Sequence, residues 1–107
     1  MSAFLDVTSA NFDAEVLKSA TPVLVDFWAV WCGPCRALSP VLEAVSGQLG
    51  TAVKMVKVNV DDNQALAGQF GVQSIPTLIL FKNGEQVDRM VGGRSQADLL
   101  NWIKSKI

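Results

Sequence analysis

The apolar residues of this chain recur with two different spacings, which alternate along the sequence. Short runs that are apolar at half or more of their positions predict β-strands at residues 4–7, 23–28, 52–60, 77–81 and 86–91. Stretches with apolar residues every three or four positions predict α-helices after the first, second, third and fifth strands. The resulting order, β-α-β-α-β-α-β-β-α, predicts an α/β fold with a mixed sheet and helices on both faces.

The second predicted strand, residues 23–28, is apolar at nearly every position. Such a run is typical of a central strand that is covered on both faces. The helix that follows connects two strands by a crossover, and crossovers of this length join parallel strands. Asn83 and Gly84, between the last two strands, predict a tight hairpin and therefore antiparallel pairing.

The second and last predicted helices each carry an apolar stripe. In the second helix the stripe comprises Cys35, Leu38, Leu42, Val45 and Leu49, and in the last helix Leu99, Ile103 and Ile107. Pro34 suits the first turn of the second helix, where a backbone N–H has no partner inside the helix. Pro40 falls in the middle, so we expect it to remove a hydrogen bond to the Arg36 carbonyl and to bend the helix.

The composition predicts one domain, residues 1–107, with a packed core, since half of the residues are hydrophobic and 18% are charged. The net charge of −1 provides no field for nucleic acid or an anionic membrane, and no apolar stretch is long enough to span a bilayer. The first residues lack the basic start and apolar stretch of a secretory signal. We therefore expect a cytoplasmic monomer, with the mature form of an organellar protein as the alternative.

The two cysteines of the chain, Cys32 and Cys35, lie where the second strand is predicted to give way to a helix. The start of a helix stabilises a thiolate through its free N–H groups and its dipole, so Cys32 is the expected nucleophile. Cys35 lies one turn further on, on the apolar stripe, and is expected to be more buried and to resolve mixed disulfides. A Cys-x-x-Cys pair beside a βαβ pattern is typical of a redox dithiol.

Two other interpretations of the cysteines are open. They could be small core residues, although Trp31 and the Gly33-Pro34 pair have no evident reason to frame a buried structural pair. A structural zinc site needs four ligands, and this chain offers two cysteines and no histidine, so only a site shared between subunits would suffice. The absence of histidine also excludes Cys–His nucleophilic catalysis.

A charged residue interrupts the otherwise apolar central strand, and another lies within the third predicted strand. Asp26 lies within the central strand, and Lys57 lies within the third. A sheet covered on both faces would leave both charges partly buried and in need of one another. The functional interpretation is an Asp26 of raised pKa that exchanges a proton with Cys35. The alternative is a structural salt bridge or a strand-end charge that reaches solvent.

Further candidates flank the cysteines or lie at strand ends. The Ile75–Pro76 bond is predicted to be trans on sequence alone, because trans is the commoner form of such bonds. Gly92 and Gly93 follow the last strand and would let another backbone approach closely, although ordinary turn chemistry explains them equally well. Trp31 is predicted to be exposed, where it would offer an apolar surface to a protein substrate, and Trp28 to lie in the core.

These residues resemble the thioredoxin family over essentially the whole chain. The motifs that carry the resemblance are residues 28–35 (Trp-Ala-Val-Trp-Cys-Gly-Pro-Cys), Asp26, Lys57, residues 75–77 (Ile-Pro-Thr), residues 81–84 and residues 91–92. The Trp-Cys-Gly-Pro-Cys segment is specific by itself, and the other elements follow in the expected order. Val30 and Gly93 depart from the residues usual in the family, and neither touches the redox atoms.

The resemblance implies a thioredoxin fold, in which a mixed five-stranded sheet is flanked by four α-helices in a three-layer sandwich. It implies that Cys32 attacks and that Cys35 resolves. Asp26 and Lys57 would form the buried pair that handles protons, and the Ile75–Pro76 bond would be cis, against the prediction from sequence alone. The docking groove for an extended substrate would comprise Trp31, Gly33, Pro34, Ile75, Pro76 and Gly92, with Trp28 and Pro40 shaping the site.

The function implied is that of a protein-disulfide reductase, a thiol–disulfide oxidoreductase that uses a reversible Cys32–Cys35 disulfide. Its partners would be disulfide-containing client proteins and a thioredoxin reductase fed by NADPH or ferredoxin, and no bound cofactor or metal is expected. The alternatives are a disulfide oxidase or isomerase on the same fold, and a redox-independent partner subunit that binds through the groove around Trp31. The Gly33-Pro34 pair favours a reductase by resemblance.

Overall fold

The computed structural model of the chain describes residues 4–107, and its framework is a five-stranded sheet. The strands are β1 (Leu5–Asp6), β2 (Val23–Trp28), β3 (Lys54–Asn59), β4 (Thr77–Lys82) and β5 (Glu85–Val91), and they lie side by side in the order β1-β3-β2-β4-β5. β3 pairs in parallel with β1 and β2, whereas β4 pairs antiparallel with β2 and β5. The second strand is therefore central, as predicted, and all 6 of its residues are buried.

The helices in the described part of the chain are α1 (Gly33–Leu49), α2 (Gln64–Gln69), α3 (Gln96–Lys106), a π-helical segment (Asp13–Leu17) and a short 3₁₀ turn (Gly50–Ala52). The sequence predicts an ordinary α-helix at the π-helical segment. There the N–H of Lys18 donates to the carbonyl of Asp13, five residues earlier, over 2.9 Å. Phe12 and Val16 are buried, so the wider turn still directs apolar side chains toward the core.

The side chains of the sheet alternate between two apolar layers. Val25 of β2 packs on the side that holds α2 and the π-helical segment, whereas Leu24 packs on the side that holds α1 and α3. Helices therefore cover both faces of the sheet, which gives the three layers expected of the fold. On α3, Leu99 and Ile103 are buried as predicted, but Ile107 lies beyond the end of the helix and is 37% exposed, so its place in the stripe is wrong.

The helix α1 begins directly after Cys32 and contains Cys35. Pro34 lies in its first turn, and the helix continues through Pro40 to Leu49. Gly50 then ends it with a φ of 58°, in the left-handed region that glycine tolerates. The buried residues of α1 are Cys35, Leu38, Ser39, Leu42 and Val45. This buried stripe fixes the start of α1 against the end of β2.

The strands β4 and β5 form the predicted hairpin. Asn83 and Gly84 have positive φ values of 55° and 80°, which is the conformation that closes a two-residue hairpin. The register pairs Lys82 with Glu85 across this turn. A Cβ atom on Gly84 would lie 2.8 Å from the carbonyl oxygen of Leu17, so the turn packs closely against the π-helical segment.

Candidate active site

The two cysteines lie at the end of the central strand and are joined by a disulfide bond. β2 ends at Trp28, and a short turn connects it to α1. In this turn the N–H of Cys32 donates to the carbonyl of Ala29 over 3.1 Å. Cys32 thereby occupies the N-cap position of α1. Trp28 and Ala29 are buried against the disulfide, and Val60 and Ile75 pack there partly buried. The predicted pair is therefore a disulfide in a largely apolar surrounding.

A backbone N–H at the start of α1 donates a hydrogen bond to the sulfur of Cys32. The backbone N–H of Cys35 donates to Cys32 Sγ over 3.1 Å, and no acidic side chain lies in the first turn. This N–H and the positive end of the helix dipole both favour negative charge on Cys32 Sγ once the disulfide is opened. The same sulfur lies 3.8 Å from the carbonyl oxygen of Ile75, within reach of a thiol S–H donor. Cys35 is the more deeply buried of the two, as expected.

The loop before β4 meets the end of β5 beside the cysteines. The Ile75–Pro76 peptide bond is cis, so the prediction of a trans bond from sequence alone is wrong and the expectation from the family resemblance is confirmed. The isomer of such a bond is set by tertiary contacts, which a single sequence does not show. The carbonyl of Pro76 accepts a hydrogen bond from the N–H of Gly92 over 2.8 Å, and Gly92 has a φ of 86°.

An exposed surface borders the disulfide. Trp31 is 67% exposed, as predicted, and Gly33 and Pro34 are exposed beside it. Trp31 Nε1 donates to Asp61 Oδ2 over 2.9 Å, which holds the indole ring in place. The sequence pattern does not single out Asp61. This residue lies two positions beyond the carboxyl end of the parallel strand β3, at the edge of the sheet where β2 also ends. Binding residues gather at that edge in α/β folds, and this is the signal that could have identified Asp61.

Asp26 and Lys57 are neighbours across β2 and β3. The parallel register pairs their Cα atoms, and the two residues are 8% and 7% exposed, as the strand pattern predicts. Burial raises the pKa of the Asp26 carboxyl from 3.8 to about 7. The positive charge of Lys57 acts in the opposite direction and lowers this pKa, but its effect is the smaller one. Among residues 4–107, Asp26 Oδ1 finds no hydrogen-bond partner. Asp26 is thus a buried carboxyl that holds its proton up to about neutral pH.

The two residues expected to shape the site lie in different surroundings. Trp28 is buried against the disulfide, and Lys57 Nζ lies 5.3 Å from the centre of a Trp28 ring. Pro40 is exposed in the middle of α1, five residues beyond Cys35 and therefore about 8 Å away along the helix axis. The structure places Trp28 in contact with the cysteine pair and Pro40 at a distance from it.

Residues 4–107 contain neither a candidate metal site nor a candidate membrane-spanning helix. No three histidine, cysteine, aspartate or glutamate side chains in this part of the chain come together as a group that could hold a metal ion. None of its helices combines the length and the apolar character needed to cross a membrane.

Comparison with known proteins points to a single family. The sequence model of the thioredoxin family matches residues 3–105. A thioredoxin from Rickettsia bellii is 50% identical to this chain over 102 residues, which cover 95% of this chain and 97% of the relative. Thioredoxin 1 of Synechococcus elongatus is 52% identical over 103 residues, which are 96% of each chain. A thioredoxin from Haemophilus influenzae is 49% identical over 107 residues, the full length of both chains.

Thioredoxins are thiol–disulfide oxidoreductases that act through a redox-active disulfide and are themselves reduced by a thioredoxin reductase. In this chain the Cys32–Cys35 disulfide at the start of α1 supplies that group. The predicted thiol–disulfide reductase is therefore confirmed, and neither an oxidase nor a redox-independent binding role is better supported. By its sequence, its fold and its disulfide, the chain belongs to the thioredoxin family.

Proposed function

We propose that this chain reduces disulfide bonds of client proteins, with Cys32 as the attacking group and Cys35 as the resolving group. The observation that carries the proposal is the position of Cys32 Sγ, which lies at the N-cap of α1 and accepts the N–H of Cys35. A thiolate, the form that attacks disulfides, is stabilised at such a position. The exposed indole of Trp31 lies directly beside it.

The reaction would proceed in two exchanges. In the first, Cys32 Sγ forms a bond with one client sulfur, the client disulfide breaks, and the other client sulfur leaves as a thiolate. In the second, Cys35 Sγ forms a bond with Cys32 Sγ and the first client sulfur leaves. The client gains two electrons and two protons, and the Cys32–Cys35 pair loses them and becomes a disulfide.

In this scheme Asp26 takes the proton that Cys35 must lose before it attacks. Asp26 and Trp28 lie two residues apart on β2 and so point to the same face of the sheet, the face on which Trp28 packs against the disulfide. A pKa of about 7 suits a group that accepts and returns a proton near neutral pH. The positive charge of Lys57 favours the carboxylate form that accepts the proton.

The docking groove (Trp31, Gly33, Pro34, Ile75, Pro76 and Gly92) would receive an extended segment of the client. Trp31 supplies an exposed apolar surface, and the loop before β4 supplies backbone groups for strand-like hydrogen bonds. The 3.8 Å distance from the Ile75 carbonyl oxygen to Cys32 Sγ supports this assignment. A client backbone bound at Ile75 would bring its own cysteine to the reacting sulfur.

Recycling requires a partner that returns two electrons to the disulfide. We assign this step to a thioredoxin reductase fed by NADPH or by ferredoxin, with no cofactor bound to this chain itself. A cytoplasmic location fits this role, since the cytoplasm keeps protein thiols reduced.

The proposal predicts catalytic turnover in a coupled assay. Small amounts of this chain, supplied with NADPH and an NADPH-dependent thioredoxin reductase, or with reduced ferredoxin and its reductase, should reduce the disulfides of insulin. The rate of thiol formation should rise in proportion to the concentration of the chain, because each molecule is oxidised and recycled many times. Failure with both reductases, each shown to be active with its own thioredoxin, would contradict the proposal.

A double variant, Cys32→Ser with Cys35→Ser, is the control for that assay. It keeps the exposed surface around Trp31 but has no dithiol, so we expect thiol formation at the background rate. If this variant fully replaced the unchanged chain in a cellular process that depends on it, the redox-independent binding role would be the correct one.

A further inference from the structure

Three charged residues lie in one row across neighbouring strands of the sheet. The register pairs Asp6 of β1 with Lys57 of β3, and Lys57 with Asp26 of β2. We call Asp6, Lys57 and Asp26 the charge row. Asp26 and Lys57 are buried, whereas the side chain of Asp6 is 69% exposed. The charge row therefore leads from the interior of the protein to its surface.

Asp6 contacts Lys57 directly. Asp6 Oδ1 lies 3.8 Å from Lys57 Nζ, and the same Nζ lies 5.3 Å from the centre of a Trp28 ring. Asp6 and Trp28 both line a surface cleft of about 380 Å³, so solvent reaches the outer end of the charge row. The ammonium group of Lys57 thus has one carboxylate on its solvent side and the register places another, Asp26, on its inner side.

We propose that Asp6 is a positioning residue for the redox reaction, and that it controls how readily Asp26 gives up its proton by holding the Lys57 ammonium toward the surface. This inference rests on the proposed function of Asp26 as the proton acceptor for Cys35. Asp6 is two strands away from Asp26, at a distance of about 10 Å. We therefore expect Asp6 to influence the ionisation of Asp26 mainly through its contact with Lys57.

The direction of the effect follows from the signs of the charges. The negative charge of Asp6 attracts Lys57 and also opposes a second negative charge on Asp26, and both effects favour the protonated form of Asp26. Removing the charge of Asp6 leaves Asp26 as the remaining carboxylate of the charge row. The carboxylate form of Asp26 then becomes more favourable, and the pKa of Asp26 falls.

The other groups around Asp26 do not change this expectation. β4 places the apolar Leu78 opposite Asp26, and α3 contributes the apolar Leu99 to the same layer. Among residues 4–107, the further titratable groups near the site are Cys32 and Cys35 at the start of α1, Asp62 at the cleft and Asp61 beside Trp31. All four are the same in the variants described below, and the cysteines do not titrate while the disulfide is intact.

The test is a pH titration of the Asp26 carboxyl carbon by NMR in the oxidised, full-length chain. The substitution Asp6→Asn should lower the pKa of Asp26 by about 0.5, roughly a threefold change in the acid dissociation constant. Asp6→Glu, which keeps the charge, should leave the Asp26 pKa close to that of the unchanged chain. The matched control is Asp13→Asn: Asp13 is 64% exposed and pairs with Lys18 over 3.1 Å, outside the charge row.

The same substitution in a chain that lacks the Lys57 charge tests whether Lys57 transmits the effect of Asp6 on the pKa of Asp26. In a Lys57→Met chain, Asp6→Asn should move the pKa of Asp26 by less than half as much. The inference is overturned if Asp6→Asn leaves the Asp26 pKa unchanged, if Asp13→Asn moves it equally, or if the effect is the same with and without Lys57.

The proposed role of Asp26 is tested separately, by the pH dependence of the Cys35 exchange in a preformed mixed disulfide on Cys32. If Asp6→Asn lowers both the pKa of Asp26 and the pH midpoint of this rate, both proposals hold. If the pKa falls while the midpoint of the rate stays in place, control of Asp26 by Asp6 holds and the role of Asp26 as proton acceptor is wrong.

Discussion

Replacing Cys32 by serine should abolish disulfide reduction, with turnover falling by more than about 10³-fold. Serine keeps the size of the side chain and can still accept the N–H of Cys35 at the start of α1. A serine hydroxyl, however, neither ionises near neutral pH nor forms a disulfide. The loss should appear in the coupled assay with insulin, while circular dichroism shows that the fold is retained.

The matched variant is Cys35→Ser, the same change three residues further along. Its first exchange should proceed and then stop, because no second sulfur is present to displace the client. Mass spectrometry should find one client joined to Cys32, and dithiothreitol should release it. Rapid turnover by Cys35→Ser, or an adduct trapped on Cys35 in the Cys32→Ser chain, would contradict the roles assigned to the two residues.

The substitution Asp26→Asn should make the protein more stable above neutral pH. Burial raises the pKa of Asp26 from 3.8 to about 7 in the folded state. The folded state therefore binds a proton that the unfolded state releases, and this stabilising contribution is complete below pH 3.8 and lost as the pH rises through about 7. The difference between the two pKa values corresponds to about 4 kcal/mol. Asparagine resembles the neutral acid at every pH and avoids this loss.

Urea denaturation of the oxidised protein at a series of pH values tests this expectation. Relative to Asp26→Asn, the unchanged chain should lose up to about 4 kcal/mol of unfolding free energy between pH 4 and pH 8. Asp13→Asn, in the exposed pair with Lys18, should differ from the unchanged chain by no more than about 0.5 kcal/mol throughout. If Asp26→Asn gave the same pH dependence as the unchanged chain, Asp26 would ionise in the ordinary acidic range.

The same substitution should slow the second exchange, because Cys35 would lose its proton acceptor. We expect a reduction of about 10²-fold in the rate at which Cys35 resolves a mixed disulfide near neutral pH. A buried carboxylate that costs stability and yet speeds the reaction is a common compromise at functional sites. A variant that is both more stable and equally fast would show that Asp26 has no part in the reaction.

The redox pair could be predicted from sequence because its signals are local. The apolar strand that precedes Cys32, the proline in the first turn and the apolar stripe through Cys35 all lie close together along the chain. The hairpin at Asn83 and Gly84 is also encoded by the turn residues themselves. The burial of Asp26 followed from its place in a strand that is apolar on both faces.

The features that the sequence did not reveal depend on contacts between distant segments. The residue pattern alone did not indicate the cis form of the Ile75–Pro76 bond, which tertiary contacts determine. The hydrogen bond from Trp31 to Asp61 and the pairing of Asp6 with Lys57 each join segments far apart in the chain. The last of these requires the register of a two-residue edge strand, which carries too little apolar pattern to be aligned by sequence alone.

An equilibrium redox titration of the Cys32–Cys35 pair tests most directly whether the chain is a disulfide reductase. The titration can be followed by the fluorescence of Trp28, which is buried against the disulfide. For a reductase we expect one two-electron transition at a potential below that of the cytosolic glutathione pool, which biochemical extraction places at about −220 to −260 mV. Each 30 mV by which the potential of the Cys32–Cys35 pair lies below that of the pool makes the reduction of a client disulfide more favourable by about 1.4 kcal/mol. A potential above that of the pool would indicate an oxidase or isomerase, and the absence of any two-electron transition would contradict a redox role for the two cysteines.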